Sequence, residues 1–69
     1  MNEYDDCLNS VDLAIDLDNS NGEYYSLRGK CYLELNNPDL AKISLEKAIK
    51  LLPNNFDNFR LLGSCYSKA

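Results

Sequence analysis

Apolar residues recur at helical spacing in four separate segments of the chain. In the first segment they fall at i, i+3, i+4, i+7, i+10 and i+11, the spacing of one face of a helix. These positions are Tyr4, Cys7, Leu8, Val11, Ala14 and Ile15. Comparable stripes lie within residues 25–35, 41–52 and 56–66. Because no segment shows the strong alternation of a β-strand, the pattern predicts four helices and no sheet.

Turn-forming residues separate the four predicted helices. Residues 19–22 break the first stripe, and Ser20 with Glu23 three residues later predicts a capping box that starts the second helix. Pro38 suits the first turn of the third helix because its missing N–H is not needed there, and Asn37 is a favourable N-cap. Since the connections are short, we expect neighbouring helices to be antiparallel.

The chain repeats itself at an offset of 34 residues. The pattern aromatic-x-x-x-Gly-x-x-Tyr of the second helix recurs in the fourth, where Phe59, Gly63 and Tyr66 follow Tyr25, Gly29 and Tyr32. The third helix matches the first in the same way, with Ala41, Leu45 and Ala48 following Cys7, Val11 and Ala14. Two helix types therefore alternate along the chain.

These residues resemble the tetratricopeptide repeat, a 34-residue helix pair with an aromatic, Leu-Gly and Tyr on one helix and Ala, a large apolar residue, Ala and Pro on the other. The matching positions of one complete repeat are Tyr25, Gly29, Tyr32, Ala41, Leu45, Ala48 and Pro53. The resemblance covers nearly the whole chain. It implies an all-α fold, an α-α superhelix of four antiparallel helices like a tetratricopeptide-repeat solenoid. Residues 1–20 would be the second helix of a preceding repeat, 22–55 a complete repeat and 56–69 the first helix of a following one.

Small residues are expected at the crossings between helices. Gly29 and Gly63 lie in helix interiors, where glycine costs about 0.5–1 kcal/mol relative to alanine, so a neighbouring helix should approach closely at each. Arg28 replaces the usual Leu, and we expect its methylenes to cover the core while its guanidinium reaches water. The three cysteines are interpreted as small buried hydrophobes at helix contacts.

Composition disfavours chemistry and nucleic-acid binding. The 69-residue chain has a net charge of −4 with scattered basic residues, which predicts neither nucleic acid nor a membrane as partner. With no His and an odd number of cysteines, we predict no catalytic site, no metal and no cofactor, and therefore no enzyme. Asp16-x-Asp18-x-Ser20 begins like a calcium loop but lacks its glycine and its bidentate Glu. Reduced thiols favour an intracellular, cytoplasmic setting.

The resemblance implies a binding surface, because helices of the first type line the concave side of such solenoids. The candidate groove residues are Glu23, Ser26, Lys30, Leu33, Asp57, Arg60 and Ser64. Lys30 and Arg60 could accept a carboxylate of a bound peptide, whereas the alternative is a solvated face of mixed charge. The clamp by which some family members bind chaperone tails is not matched, since Leu27 and Leu61 occupy positions where it needs Asn and Arg.

On this basis we predict an adaptor or scaffold that holds a protein or peptide ligand in the groove. The alternative is a structural spacer or a self-associating segment without a peptide ligand. The order of helix types supports this alternative. A second-type helix comes first and a first-type helix comes last, so the outer faces of both helices lack a partner helix. The segment would then belong to a longer solenoid or associate through its terminal helices.

Overall fold

Four helices and their connections make up the part of the chain that the structure describes. The computed structural model describes residues 3–68, with side chains for residues 3–67. Its helices are α1 (Glu3–Leu17), α2 (Gly22–Glu34), α3 (Pro38–Leu51) and α4 (Phe56–Lys68). No strand occurs within these residues, so the predicted all-α repeat fold is confirmed. Residues 1, 2 and 69, which fall in the predicted outer segments, lie outside the described residues.

The start of α2 differs from its prediction by one residue. Asn21 is the N-cap, and its side-chain oxygen accepts a hydrogen bond from the backbone N–H of Glu23 at 3.0 Å. Ser20 instead donates its hydroxyl to the carboxylate of Asp18 at 2.9 Å. The predicted capping box at Ser20 is therefore wrong, because the neighbouring Asn supplies the acceptor. Gly22, expected in the turn, is the first residue of the helix.

The connection between α2 and α3 is a Schellman-type ending. Asn36 adopts a left-handed backbone with φ of 61°, which asparagine tolerates better than most residues. The N–H of Asn37 donates to the carbonyl of Tyr32 at 2.8 Å, and that of Asn36 donates to Leu33 at 3.0 Å. Asn37 takes the predicted N-cap position without a side-chain bond, and Pro38 follows at the first helical residue. The chain thus reverses within three residues and packs α3 against α2.

Helices α2 and α3 occupy the centre of the structure because both contribute to the two apolar clusters. One cluster joins α1, α2 and α3 through Val11, Ile15, Tyr25 and Ala48. The other joins α2, α3 and α4 through Leu33, Ala41, Leu45 and Cys65. The small residues Ala41 and Ala48 are fully buried, as expected for close crossings. Stacking in this order places α1 and α4 at opposite ends of the helix layer.

The two interior glycines differ in their surroundings. A Cβ atom on Gly29 would lie 2.6 Å from Cγ of Leu45 and 3.3 Å from the carbonyl oxygen of Ala41, so the predicted close approach is confirmed there. At Gly63 a Cβ would meet no atom of the described chain within 4 Å. The expectation of a close neighbour at Gly63 is therefore wrong for this chain, since none of the described helices packs on that side of α4.

Candidate functional site: the groove between α2 and α4

A shallow groove of about 320 Å³ lies between α2 and α4. The two helices carry the same repeat positions, and the α3–α4 connection closes one side of the groove. Five of the seven predicted residues line it: Glu23, Ser26, Lys30, Asp57 and Arg60. We call this surface the peptide groove.

Two predicted residues do not line the peptide groove. The side chain of Leu33 is only 5% exposed and packs with Leu45 and Cys65 in the core, because α4 crosses over it. Its assignment to the accessible groove is therefore corrected. Ser64 lies one turn beyond Arg60 on α4, where its hydroxyl is 3.5 Å from the carbonyl oxygen of Arg60. Neither residue offers a side chain to a ligand in the groove.

Four further residues complete the lining: Leu27, Asn55, Asn58 and Leu61. Leu27 and Leu61 are equivalent positions, one repeat apart, and both present apolar surface to the groove. Leu61 follows from its repeat position on the fourth helix, and the 34-residue offset is the signal that could have added Leu27, because equivalent positions of successive first-type helices share one face. The groove therefore combines apolar surface with charged rims.

The two cations of the groove, Lys30 and Arg60, form no strong ion pair with the described side chains. Arg60 pairs with Asp57 on its own helix at 3.5 Å, and both side chains are largely exposed, so this pair contributes about 0–1 kcal/mol. Among the described side chains, no carboxylate forms an ion pair with Lys30. A ligand carboxylate would therefore compete with water rather than with a strong internal salt bridge.

Asn58 lies at the floor of the peptide groove. It is fully buried, and its side-chain oxygen accepts a hydrogen bond from the hydroxyl of Ser26 across the two helices. Its side-chain nitrogen has no hydrogen-bond partner within the described residues. An unpaired buried donor lowers the stability of a fold by about 1–3 kcal/mol. The enclosed nitrogen of Asn58 is therefore an unusual feature of this contact between α2 and α4.

Comparison with known protein families identifies the fold. The family model described as "Tetratricopeptide repeat" matches residues 22–55, from the first residue of α2 to the residue before α4. Residues 22–55 are a tetratricopeptide repeat. Repeats of this family are generally protein-interaction modules. The comparisons with curated proteins and with solved structures gave no match.

Metal-ligand clusters and membrane-spanning helices are both absent from the described part of the chain. Within residues 3–68, no three His, Cys, Asp or Glu side chains lie together as a metal site would require. None of the helices described above combines the length and apolar character needed to cross a bilayer. The groove lining combines apolar side chains, charged side chains and a buried amide.

Two thiols meet where α1 packs on α2. The sulfurs of Cys7 and Cys31 are 3.0 Å apart, with the Cys31 thiol donating to Cys7. Burial, followed by the hydrogen bond with Cys7, raises the pKa of Cys31 to about 12. A protonated thiol is a poor nucleophile. Cys31 therefore acts as a small packing residue, in keeping with the interpretation of the cysteines at helix contacts.

Proposed function

We propose that the chain is an interaction module that binds a peptide segment of another protein in the peptide groove. The observation that carries the proposal is the buried amide of Asn58, whose nitrogen lacks a partner among the described residues and lies beneath the exposed Leu27, the partly buried Leu61 and two available cations. A groove with a few convergent polar groups on an apolar floor is the usual form of a ligand site. Such a module acts as an adaptor or scaffold and has no catalytic role.

The chemistry of the lining defines the expected ligand. Leu27 and Leu61 suit an apolar side chain, and Lys30 and Arg60 suit a carboxylate of the same peptide. The rims also carry Glu23 and Asp57, so the groove itself has no strong net charge. Recognition therefore depends on pairing individual charges, which sets specificity more than affinity. A peptide oxygen would accept from the amide of Asn58.

An intracellular, cytoplasmic setting accords with this role. All three cysteines are free, and the two thiols that touch do not form a disulfide. Free thiols persist most readily in a reducing compartment. The partner would then be another protein of that compartment.

Selection from a displayed library of random peptides tests the proposal. Peptides selected on the wild-type chain should carry an acidic residue near an apolar one. Their affinity for the double variant Lys30→Glu/Arg60→Glu should fall by about tenfold or more, measured by isothermal titration calorimetry. Circular dichroism should show unchanged helicity, because both cations are exposed.

The matched control is Lys47→Glu/Lys50→Glu, which changes net charge equally on the outer side of α3. It should retain the affinity of the wild-type chain. Equal binding of the selected peptides to both double variants would refute the groove assignment. So would selection of peptides without acidic residues.

A further inference from the structure

The outer side of α4 exposes a continuous apolar surface. Phe56 is 76% exposed and Phe59 is 47% exposed, and their ring centroids lie 6.4 Å apart. Gly63 lies on the same side, one turn after Phe59, with no described atom within 4 Å of its Cβ position. We call this surface, formed by Phe56, Phe59 and Gly63, the α4 outer face. Exposed clusters of large apolar side chains on a small domain commonly mark an interaction site.

A second apolar surface lies on the outer side of α1. Leu13 is 65% exposed and Leu17 is 90% exposed, on the side of α1 turned away from the core residues Val11 and Ile15. We call the surface formed by Leu13 and Leu17 the α1 outer face. It belongs to a helix of the second type, whereas the α4 outer face belongs to a helix of the first type. The two faces are therefore different halves of a repeat.

The packing of α3 on α2 shows how such halves fit. The side chain of Leu45 fills the space left by Gly29, and Cβ of Leu51 lies 3.0 Å from the Cβ position of Gly22. The ammonium group of Lys47 lies over the ring of Tyr25, 6.0 Å from its centroid. These contacts fix which positions meet when a second-type helix follows a first-type helix.

The 34-residue offset transfers these contacts onto the two outer faces. Moving α2 forward by one repeat gives α4, and moving α3 back by one repeat gives α1. The contact between Tyr25 and Lys47 becomes Phe59 against Leu13. The contact between Gly22 and Leu51 becomes Phe56 against Leu17, and Gly63 takes the place of Gly29. The exposed Phe59 and Phe56 thus meet the exposed Leu13 and Leu17, whereas Gly63 faces Val11, the equivalent of Leu45, which is 4% exposed.

We propose that α1 of a second copy covers the α4 outer face, so that the chain self-associates head to tail. The α4 helix of one copy and α1 of the next would form a helix pair equivalent to α2 and α3. A second copy is the occupant argued here because this chain carries both complementary faces, and because apolar contacts replace the Lys47–Tyr25 pair. Within one copy the faces cannot meet, since α2 and α3 separate the two helices.

The proposed contact is heterologous, because it joins two different surfaces of the chain, and this determines how the assembly grows. Each added copy leaves one free α4 outer face and one free α1 outer face, so a dimer can add further copies. Sedimentation velocity and light scattering should show an average mass that rises continuously with concentration, up to about 1 mM, rather than stopping at a dimer. The peptide groove lies on another side of α4 and is independent of this association.

Two variants block one face each. Gly63→Leu adds a side chain where the described chain leaves open space, so the monomer stays folded while the α4 outer face loses its close approach. Leu13→Asp/Leu17→Asp places charges on the α1 outer face at two exposed positions. Each variant alone should raise the dissociation constant by at least about tenfold. Ile43→Asp, an exposed position of α3 outside both faces, should associate like the wild-type chain.

Mixing the two blocked variants decides the orientation. Each retains the face that the other has lost, so an equimolar mixture should form a heterodimer and nothing larger. A wild-type chain that stays monomeric to about 1 mM overturns the proposal. So does a mixture that remains monomeric, or a blocked variant that still associates as strongly as the wild-type chain. Circular dichroism checks folding, and Phe56→Asp/Phe59→Asp provides a second block of the α4 outer face.

Discussion

The guanidinium of Arg28 donates a hydrogen bond from Nε to the hydroxyl of Ser44, 3.1 Å away, at the buried contact between α2 and α3. It also donates to Asp12 of α1 at 3.3 Å and lies over the ring of Tyr25. The Arg28 side chain is 25% exposed, so the guanidinium still reaches the surface through its contact with Asp12, while its Nε is turned inward to Ser44. Arg28 links three helices at a position where the family usually has Leu, and Ser44 is fully enclosed because the bond satisfies its hydroxyl.

Ser44→Ala should lower the free energy of unfolding by about 1 kcal/mol, because it removes the partner of a partly buried charged donor. Arg28→Leu/Ser44→Ala should lose less than the sum of the two single changes, since the double variant leaves no unpaired group at the contact. Urea denaturation of the four chains measures this coupling. Strict additivity would show that the bond between Arg28 and Ser44 contributes nothing of its own.

The two interior glycines provide a matched pair of substitutions. Gly29→Ala should lower the free energy of unfolding by about 1–2 kcal/mol, because the new methyl group overlaps the buried side chain of Leu45. Gly63→Ala should raise it by up to about 1 kcal/mol, since the helix gains a better residue and nothing is displaced. Thermal unfolding in dilute solution measures both. Equal effects at the two positions would contradict the difference in their surroundings.

Most of the fold was predictable because the helical spacing of apolar residues and the 34-residue offset both indicate which helix faces pack together. Apolar stripes indicated which sides of α1, α2 and α3 are buried. The start of α2 was misplaced because Ser20 and Asn21 are both good N-caps, and local preference does not choose between adjacent candidates. Gly63 was misjudged because its sequence context matches Gly29 while its neighbour in space does not.

The groove was predictable only where a residue's exposure depends on its own helix. Lys30 and Arg60 line it, as their repeat positions imply. Leu33 was misassigned because its burial depends on Cys65, which comes from a helix one repeat later in the chain. Asn58 was missed because an amide within an amphipathic pattern suggests solvent, and only the packing of α4 on α2 shows that it is enclosed. The groove residues predicted wrongly are therefore those whose burial depends on packing between helices that are distant in the sequence.

The contact between Ser26 and Asn58 allows stability and binding to be separated. Ser26→Ala should lower the free energy of unfolding by about 1 kcal/mol, because it leaves both polar atoms of the Asn58 amide without partners. Ser26→Ala/Asn58→Leu should recover that loss, since replacing both partners with apolar groups is nearly neutral. The recovered variant should nevertheless bind selected peptides more weakly than the wild-type chain. Retained affinity would remove Asn58 from the proposed site.

High pH should destabilise the chain through Cys31. Its folded pKa of about 12 exceeds the value of about 8.5 for an unfolded thiol, so the neutral thiol stabilises the fold below about pH 8.5. That contribution is lost as the pH rises from about 8.5 towards 12, because the unfolded chain ionises first.

Urea midpoints across that interval should fall less steeply for Cys31→Ala than for the wild-type chain. Tyr4, whose pKa is also raised, chiefly by the negative charge of Glu34 and in smaller part by Cys31, is present in both chains. In native protein near neutral pH, iodoacetamide should modify the partly exposed Cys7 well before the buried Cys31. Parallel pH profiles for the two chains, or equal labelling of the two thiols, would contradict a buried and protonated Cys31.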